Sequence, residues 1–199
     1  MMRTIIKILL LFLLPLNTFA TTYYVATNGN DSNNGISLST PFLTWQKGFT
    51  ETHAGDTLFI RGGIYYLSGL GASVGGPNSG TSENPICIFA YQPDWDLGNK
   101  PILDCSGVIP RYATDFAAVG FYQVQYIHLK GLTVRNLYQR YNGEYMPEGF
   151  SAVACANFTF ENCTTHDITG RGFYYESGAW NTWAVLAASH LWFPMHANW

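Results

Sequence analysis

The sequence predicts an all-β fold, a right-handed parallel β-helix, from two observations. Short runs rich in aromatic and β-branched residues recur along the chain, and the segments between them are rich in Gly, Asn, Pro and Ser. The runs also take two alternating forms that repeat about every 20 to 35 residues, as the coils of a solenoid do. An antiparallel sandwich would explain the number of strands but not this repeat. A doubly wound sheet is excluded because its parallel strands need helical crossovers.

The strands are predicted from apolar alternation and β-branched or aromatic content. They lie at 57–60, 86–90, 101–104, 117–122, 126–129, 132–134, 152–155, 158–160 and 172–175.

The repeat is clearest in two segments that each run alternating apolar residues into an Asn and a turn. These are IHLKGLTVRN, at 127–136, and FTFENCTTHD, at 158–167. We expect Asn136 and Asn162 at turns, where stacked side-chain amides bond along the solenoid axis.

The segment that precedes the first coil predicts an N-terminal cap. It contains the strand-like run YYV at 23–25, a loop rich in Asn, and a short helix at 44–53, which Gly48 weakens. An open solenoid exposes a sheet edge unless its first coil is covered. We therefore expect 54–66 to form the first full coil.

Residues 1–20 are predicted to be a secretory signal peptide. Arg3 and Lys7 give a positive start, 8–14 is apolar, and the segment ends in Thr-Phe-Ala. The apolar run is shorter than the roughly 18 residues that span a bilayer. The chain from Thr21 is therefore expected to be secreted or periplasmic, with no membrane anchor after cleavage.

The β-helix domain is predicted at 21–178, followed by an atypical Trp-rich tail at 179–199. Four of the 6 Trp lie in this tail, and no Asp, Glu, Lys or Arg follows Glu176. The pattern conflicts with that of the preceding coils, which favours a shifted reading frame or a truncated end. The alternative is a capping helix at 183–193.

The charge and cysteine content exclude several classes of protein. The net charge is -3, from 10 Lys+Arg and 13 Asp+Glu, so no nucleic-acid partner is expected. Aromatic residues make up 16% of the chain and charged residues 12%, which suits either a sugar-binding surface or an aromatic core.

The 4 Cys are expected to be buried thiols rather than disulfides, with Cys155 and Cys163 inside strands.

Several segments resemble a known family. YYVATNGNDSNNGISLSTPFLTWQKGF followed by AGDTLFIRGGIYYL resembles the N-terminal segment of secreted right-handed β-helix proteins, most closely the family 9 polysaccharide lyases, which act as pectate lyases. YIHLKGLTVRN and FTFENCTTHDITGRGFYYESG are similar in order and spacing to the coils that precede the active site in that family. The resemblance covers residues 22–178.

The resemblance implies β-elimination on polygalacturonate, an acidic polysaccharide, by a monomeric protein. In that family, Ca²⁺ held by aspartates binds the substrate carboxylate, a lysine removes the C5 proton, and the O4 glycosidic bond breaks. Clustered carboxylates suit Ca²⁺, and a nearby cation lowers the pKa of a lysine. The Asp-rich cluster and glycine-flanked lysine are not found in this sequence. The chain as given is therefore expected to be an inactive fragment.

The last predicted coil supplies the candidate substrate-binding residues, since Arg suits a uronate carboxylate and exposed rings stack on sugars. They are Arg171, Tyr174, Tyr175 and Glu176. The alternative is a structural role, in which Arg171 pairs with a nearby acid such as Glu176 and His166 and Asp167 are turn residues.

Other charged residues give weaker hypotheses. Asp94 and Asp96 could share a cation in a loop, with Asp104 the next acidic residue along the chain. The pair lacks the ligand count of Ca²⁺, which is commonly about 6 to 8 oxygens. Lys130 is expected to be a solvated lysine rather than a general base, because no acidic cluster lies beside it in the sequence.

The alternative function is a non-catalytic carbohydrate-binding or cell-surface module. Its groove would be built from exposed rings, namely Tyr65, Tyr66, Tyr174 and Tyr175. A glycoside hydrolase would need two carboxylates about 5 to 10 Å apart, and no convincing pair is evident.

Overall fold

The computed structural model describes residues 20–109, 116–139 and 146–176, with the backbone of residues 186 and 187. The predicted signal peptide lies outside the described residues except for Ala20. The Trp-rich tail lies outside them apart from the two backbone positions, which form a short strand rather than part of the alternative capping helix.

Three parallel sheets form the sides of the molecule. Sheet A contains, in spatial order, β1 (Thr22–Val25), β2 (Thr57–Ile60), β4 (Ile86–Ala90), β7 (Gln125–Lys130), β10 (Ala156–Glu161) and β13 (Leu186–Ala187). Sheet B contains β3 (Gly63–Leu70), β5 (Pro101–Ile109), β8 (Thr133–Leu137) and β11 (Thr164–Ile168). Sheet C contains β6 (Phe116–Tyr122), β9 (Pro147–Val153) and β12 (Arg171–Glu176).

The order of strands along the chain confirms the predicted parallel β-helix. The chain visits sheets A, B and C in turn, and each strand pairs in parallel with the equivalent strand of the next coil, as β7 does with β10. The predicted first coil, 54–66, covers two of the three sides, with β2 and β3. Val74 completes the third side by bridging to Val119 of β6.

Each predicted strand overlaps an observed one, but several boundaries differ, most of all that of β9, predicted at 152–155 and found at Pro147–Val153. β3 and β11 were not predicted, because Gly in one and polar residues in the other obscure the alternation. Cys155 and Cys163 lie between strands rather than inside them. Both are buried free thiols, as expected. Burial raises the pKa of Cys163 to about 11, which keeps this thiol protonated and unreactive.

The predicted cap helix is present as α1 (Trp45–Glu51), preceded by Thr44. The Thr44 hydroxyl accepts a hydrogen bond from the Lys47 backbone N–H at 3.1 Å, a standard N-cap contact. Gly48 lowers the helix propensity of α1 but allows the helix to pack closely on its neighbours. A Cβ at this position would lie 2.8 Å from side-chain atoms of Leu58 and Val25, so the glycine lets α1 sit directly on β1 and β2.

A second, short helix, α2 (Gln92–Asp96), occupies the segment that was expected to be a loop. Pro93 lies in its first turn, where the missing N–H of proline costs nothing. These two helices are the only ones in the described ranges, and neither is long enough to span a bilayer.

The core is a continuous stack of aromatic and aliphatic side chains inside the three sheets. Phe49 of α1 stacks on Phe121 of β6 at 5.7 Å between ring centroids, and Phe121 meets Phe158 of β10 edge to face at 5.0 Å. Phe150 of β9 stacks on Phe173 of β12 at 5.3 Å. The high aromatic content of the sequence therefore fills the core to a large extent, as well as reaching the surface.

The expected stacking of Asn136 with Asn162 is wrong. Asn136 lies within β8 with φ of 59°, and Asn162 lies between β10 and β11 with φ of 51°. The β8–β11 register brings Asn136 beside Asp167 instead. Asn136 does bond along the axis, because its Nδ2 donates to Oδ2 of Asp104 on the preceding coil at 2.9 Å.

Candidate functional site: the outer face of sheet C

A row of contacting polar and aromatic side chains runs along the surface of β12. The Arg171 guanidinium lies over the ring of Tyr174, with Cζ 4.3 Å from the ring centroid. The Tyr174 hydroxyl donates to Oε2 of Glu176 at 2.7 Å. This hydrogen bond to a carboxylate is the main cause of the raised pKa of Tyr174. Three of the four predicted substrate-binding residues therefore lie together, and their binding role stays a prediction.

Arg171 pairs with an acid, as the alternative expected, but the partner is Glu148 of the preceding coil rather than Glu176. Nη1 of Arg171 donates to Oε1 of Glu148 at 3.0 Å, and the two residues are partners in the β9–β12 register. The sequence reasoning missed Glu148. The available signal was the match between Glu-Gly-Phe at 148–150 and Arg-Gly-Phe at 171–173, which places the opposite charges at equivalent positions of successive coils.

Two glycines fix the backbone next to this ion pair. A Cβ on Gly172 would lie 2.3 Å from Oγ1 of Thr165, and one on Gly149 would lie 2.7 Å from Cγ2 of the same threonine. Only glycine allows the beginning of β9 and β12 to approach β11 this closely. The charged residue before each glycine is thereby held at the edge where sheet C begins.

The burial of the two charges is unequal, which leaves one of them available to a ligand. The Glu148 side chain is 4% exposed and the Arg171 side chain is 45% exposed. A guanidinium carries five N–H donors in a planar fork, so Arg171 can hold Glu148 and still face solvent. Beside it, the Tyr174 ring offers a flat apolar surface. A cation next to a partly exposed ring suits a sugar that bears a carboxylate.

Tyr175 does not belong to this row. Its ring packs against the core, and its hydroxyl donates to the Cys155 carbonyl oxygen at 3.1 Å. Successive residues of a strand point to opposite faces, which places Tyr174 outside and Tyr175 inside.

The same alternation separates the tyrosines of the alternative binding groove. Tyr65 is 7% exposed and donates its hydroxyl proton to the Arg61 carbonyl oxygen at 2.8 Å, whereas Tyr66 is 73% exposed. Both lie on β3 of sheet B, while Tyr174 lies on sheet C. A single groove made by all four tyrosines is therefore wrong.

Asp94 and Asp96 do not share a site. Asp94 is buried and accepts hydrogen bonds from the Arg61 guanidinium and, at 2.9 Å, from the Gly62 backbone N–H. These contacts lower the pKa of Asp94, the bond from Arg61 being the largest cause. Asp96 accepts from Nε2 of Gln92 within α2. Each carboxylate thus has its own protein partner.

Asp104 is likewise engaged and lies on β5 of sheet B, not in α2. It accepts from Nε of Arg135 at 2.8 Å and from Nδ2 of Asn136. Among the residues that the structure describes, no group of three or more Asp, Glu, His or Cys could hold a metal ion. The described donor set therefore does not fit Ca²⁺, which requires clustered oxygen ligands.

Lys130 is a solvent-exposed lysine, with 41% of its side chain exposed, and it also has an acidic partner that the sequence did not reveal. Its Nζ lies 2.7 Å from Oε1 of Glu161, and the other oxygen of that carboxylate lies 2.8 Å from Nε2 of His128. The bond from Lys130 is the first cause of the lowered pKa of Glu161. This cluster lies on sheet A, separate from the row on β12.

His166 and Asp167 were expected in a turn but lie within β11. Nδ1 of His166 is 2.7 Å from Oδ2 of Asp167, so the two side chains contact each other on sheet B rather than the Arg171 row. Asp167 adopts a positive φ of 56°, a local turn-like conformation inside the strand.

A comparison with protein families gives one match across most of the chain. The family model described as "Pel9A-like, right handed beta helix region" matches residues 23–194. Its description agrees with the parallel coils seen here and supports the predicted right-handed form of the β-helix.

Individual relatives are lyases at low identity. Pectate lyase L of Dickeya dadantii is 29% identical over 165 residues, which are 80% of this chain and 35% of that protein. The chain thus spans about a third of the length of the curated relatives it matches.

Solved structures show the same architecture. A structure titled "Rhamnogalacturonan lyase" matches with a TM-score of 0.69 and 27% identity, over 78% of this chain and 38% of that one. Pectate lyase Pel9A matches with a TM-score of 0.58 and 22% identity, over 82% of this chain and 40% of that one, a likeness that concerns the fold alone.

Proposed function

Because the chain belongs to the Pel9A-like right-handed β-helix family and is similar to individual polysaccharide lyases, we propose that it is an exported protein. In this proposal it binds uronate polymers such as polygalacturonate. The observation that carries this proposal is the contact between the half-exposed Arg171 and the Tyr174 ring.

In the proposed complex, Arg171 donates two N–H groups to one uronate carboxylate and Tyr174 packs against the face of the same or the neighbouring sugar. Glu148 keeps the guanidinium in place, since its buried carboxylate holds Nη1. Glu176 fixes the Tyr174 hydroxyl and, as an anion, repels a second carboxylate from that end of the row. The row therefore binds one carboxylate of the polymer segment that lies on it.

For the reaction, the resemblance implies calcium-assisted β-elimination, in which the C5 proton is removed and the O4 bond breaks. The described residues do not fit a calcium site, so no step is assigned to them through calcium. We propose that the 199-residue chain binds the polymer without cleaving it. Calcium-dependent formation of unsaturated uronide by the purified chain, above a blank, would contradict this.

Replacing Arg171 with alanine is expected to weaken binding to polygalacturonate by tenfold or more, because a charge-assisted contact of about 1.5–3 kcal/mol is lost. Arg171→Lys should restore only part of the affinity, since an ammonium lacks the planar fork. Isothermal titration with oligogalacturonate measures both effects.

Lys100→Ala is the matched control, because it removes one positive charge from the exposed loop between α2 and β5, where Lys100 lies over the Trp95 ring. This variant should bind like the unmodified chain. Since Arg171→Ala leaves Glu148 without this partner, circular dichroism must first show an intact fold. The surface variant Tyr174→Ala provides a second test. Unchanged affinity in both Arg171→Ala and Tyr174→Ala would refute the site.

A further inference from the structure

Asp56 is a buried carboxylate that accepts hydrogen bonds from two neutral backbone N–H groups. It is 6% exposed, its Oδ1 accepts from the Thr21 backbone N–H at 2.7 Å, and its Oδ2 accepts from the His53 backbone N–H at 2.8 Å. None of the ion pairs among the described residues includes it. Buried carboxylates are normally paired with a cation, so this one is unusual.

One of these two nitrogen atoms, that of Thr21, belongs to the Ala20–Thr21 peptide bond, at which the sequence predicts cleavage. Ala20 is exposed and Thr21 is half-buried, so the scissile bond lies where the chain enters the fold. Thr21 is also fixed by its carbonyl oxygen, which accepts from the Thr57 backbone N–H at 2.9 Å and begins the β1–β2 pairing.

We propose that hydrolysis of the Ala20–Thr21 bond by a signal-peptidase-type enzyme creates an α-ammonium group that forms an ion pair with the buried carboxylate of Asp56 and fixes β1 in the first coil. The C–N bond breaks, the water oxygen becomes part of the Ala20 carboxylate, and both water protons end on the Thr21 nitrogen, which becomes an ammonium group. An α-amino group has a pKa of about 8, and an adjacent carboxylate favours its charged form.

The geometry requires no rearrangement, because the Thr21 nitrogen already lies at hydrogen-bond distance from Oδ1. Cleavage replaces a neutral N–H donor with a cation, and charge-assisted hydrogen bonds are about twice as strong as neutral ones. Processing and folding are thus coupled, since cleavage makes a contact that is neutral in the precursor charge-assisted in the mature chain. This inference rests on the proposed export.

The test compares two chains released from a fusion protein in the cytoplasm, which makes it independent of export. One begins at Thr21, and the other carries Gly-Ser-Gly-Ser before Thr21, which moves the ammonium group roughly 13 Å along the chain. The chain that begins at Thr21 should melt about 2–4 °C higher. The difference should disappear when both chains carry Asp56→Asn.

Asp31→Asn is the matched control, because Asp31 also accepts backbone N–H groups in the cap, from Leu43 and Thr44, but does not contact Thr21. The melting difference should persist in this variant. Equal melting of the two unmodified chains, or a difference that survives Asp56→Asn, would overturn the proposal.

A second readout does not depend on the folding of any variant. Acylation of the Thr21 amine by an activated ester at neutral pH should be at least tenfold slower in the folded chain than in the same chain in urea, and equal rates would overturn the proposal. N-terminal sequencing of the exported protein should give Thr21 as the first residue, and any other first residue would overturn the cleavage site. Failure of export would contradict the proposed export alone, because the melting comparison does not depend on it.

Discussion

Replacing Phe158 with alanine is expected to lower the free energy of unfolding by about 3–5 kcal/mol. Phe158 is fully buried, and its ring contacts Phe121 of sheet C at 5.0 Å and Phe160 of the same strand at 4.9 Å. Phe121 in turn stacks on Phe49 of the cap helix. The substitution therefore opens a cavity where two sheets and the cap meet. Urea unfolding followed by circular dichroism measures the loss.

Phe89→Ala is the matched control on the outer face of sheet A. Phe89 is half-buried and its ring meets His128 edge to face at 4.9 Å. Water can occupy the space that this ring leaves, so the expected loss is only about 1 kcal/mol. Equal losses in the two variants would contradict the assignment of Phe158 to the core.

Replacing Asp94 with alanine is expected to cost about 2–3 kcal/mol, because the Gly62 backbone N–H loses its acceptor and the Arg61 guanidinium loses its counter-ion. The side chain of Arg61 is 34% exposed, and solvent screening keeps the loss below that of a fully buried pair. Asp96→Ala in the same helix is the control and should change stability by less than about 0.5 kcal/mol. A similar effect of both substitutions would contradict the role of Asp94.

The same pair predicts a dependence of stability on pH. The pKa of Asp94 is lowered in the folded chain, chiefly by the hydrogen bond from Arg61. Its contribution is therefore complete above the unfolded pKa, about 3.9, and is lost as the pH falls through the lower folded pKa. Asp94→Asn should lose less stability than the unmodified chain between about pH 4 and pH 2. Parallel pH profiles of the two proteins would contradict this.

The fold could be predicted because most strands have an apolar pattern of their own in the sequence. The alternation of apolar residues in β7 and β10 and the loops rich in Gly and Asn predict short strands joined without crossover helices, and the repeat selects the solenoid. β3 was missed because three of its eight residues are Gly or Ser, which interrupt the apolar pattern. Its position is set instead by pairing with β5, which no local pattern reveals.

The site was predicted less completely because its contacts cross between coils. The partner of Arg171 is Glu148 on the previous coil, and a search for acids near Arg171 in sequence finds Glu176 first. The placing of Tyr174 and Tyr175 on one surface failed for a simpler reason: neighbours in a strand face opposite ways. Strand parity, applied to the sequence, would have corrected that error.

The most direct test of the account is whether sheet C binds uronates through their charge. Isothermal titration of the chain with oligogalacturonate, and with the same oligomer fully methyl-esterified, isolates the carboxylate while keeping the sugar rings. The account predicts binding of the charged oligomer and at least tenfold weaker binding of the ester, because the ester offers Arg171 no ligand carboxylate. Equal affinity for the two oligomers, or no binding of either, would contradict it.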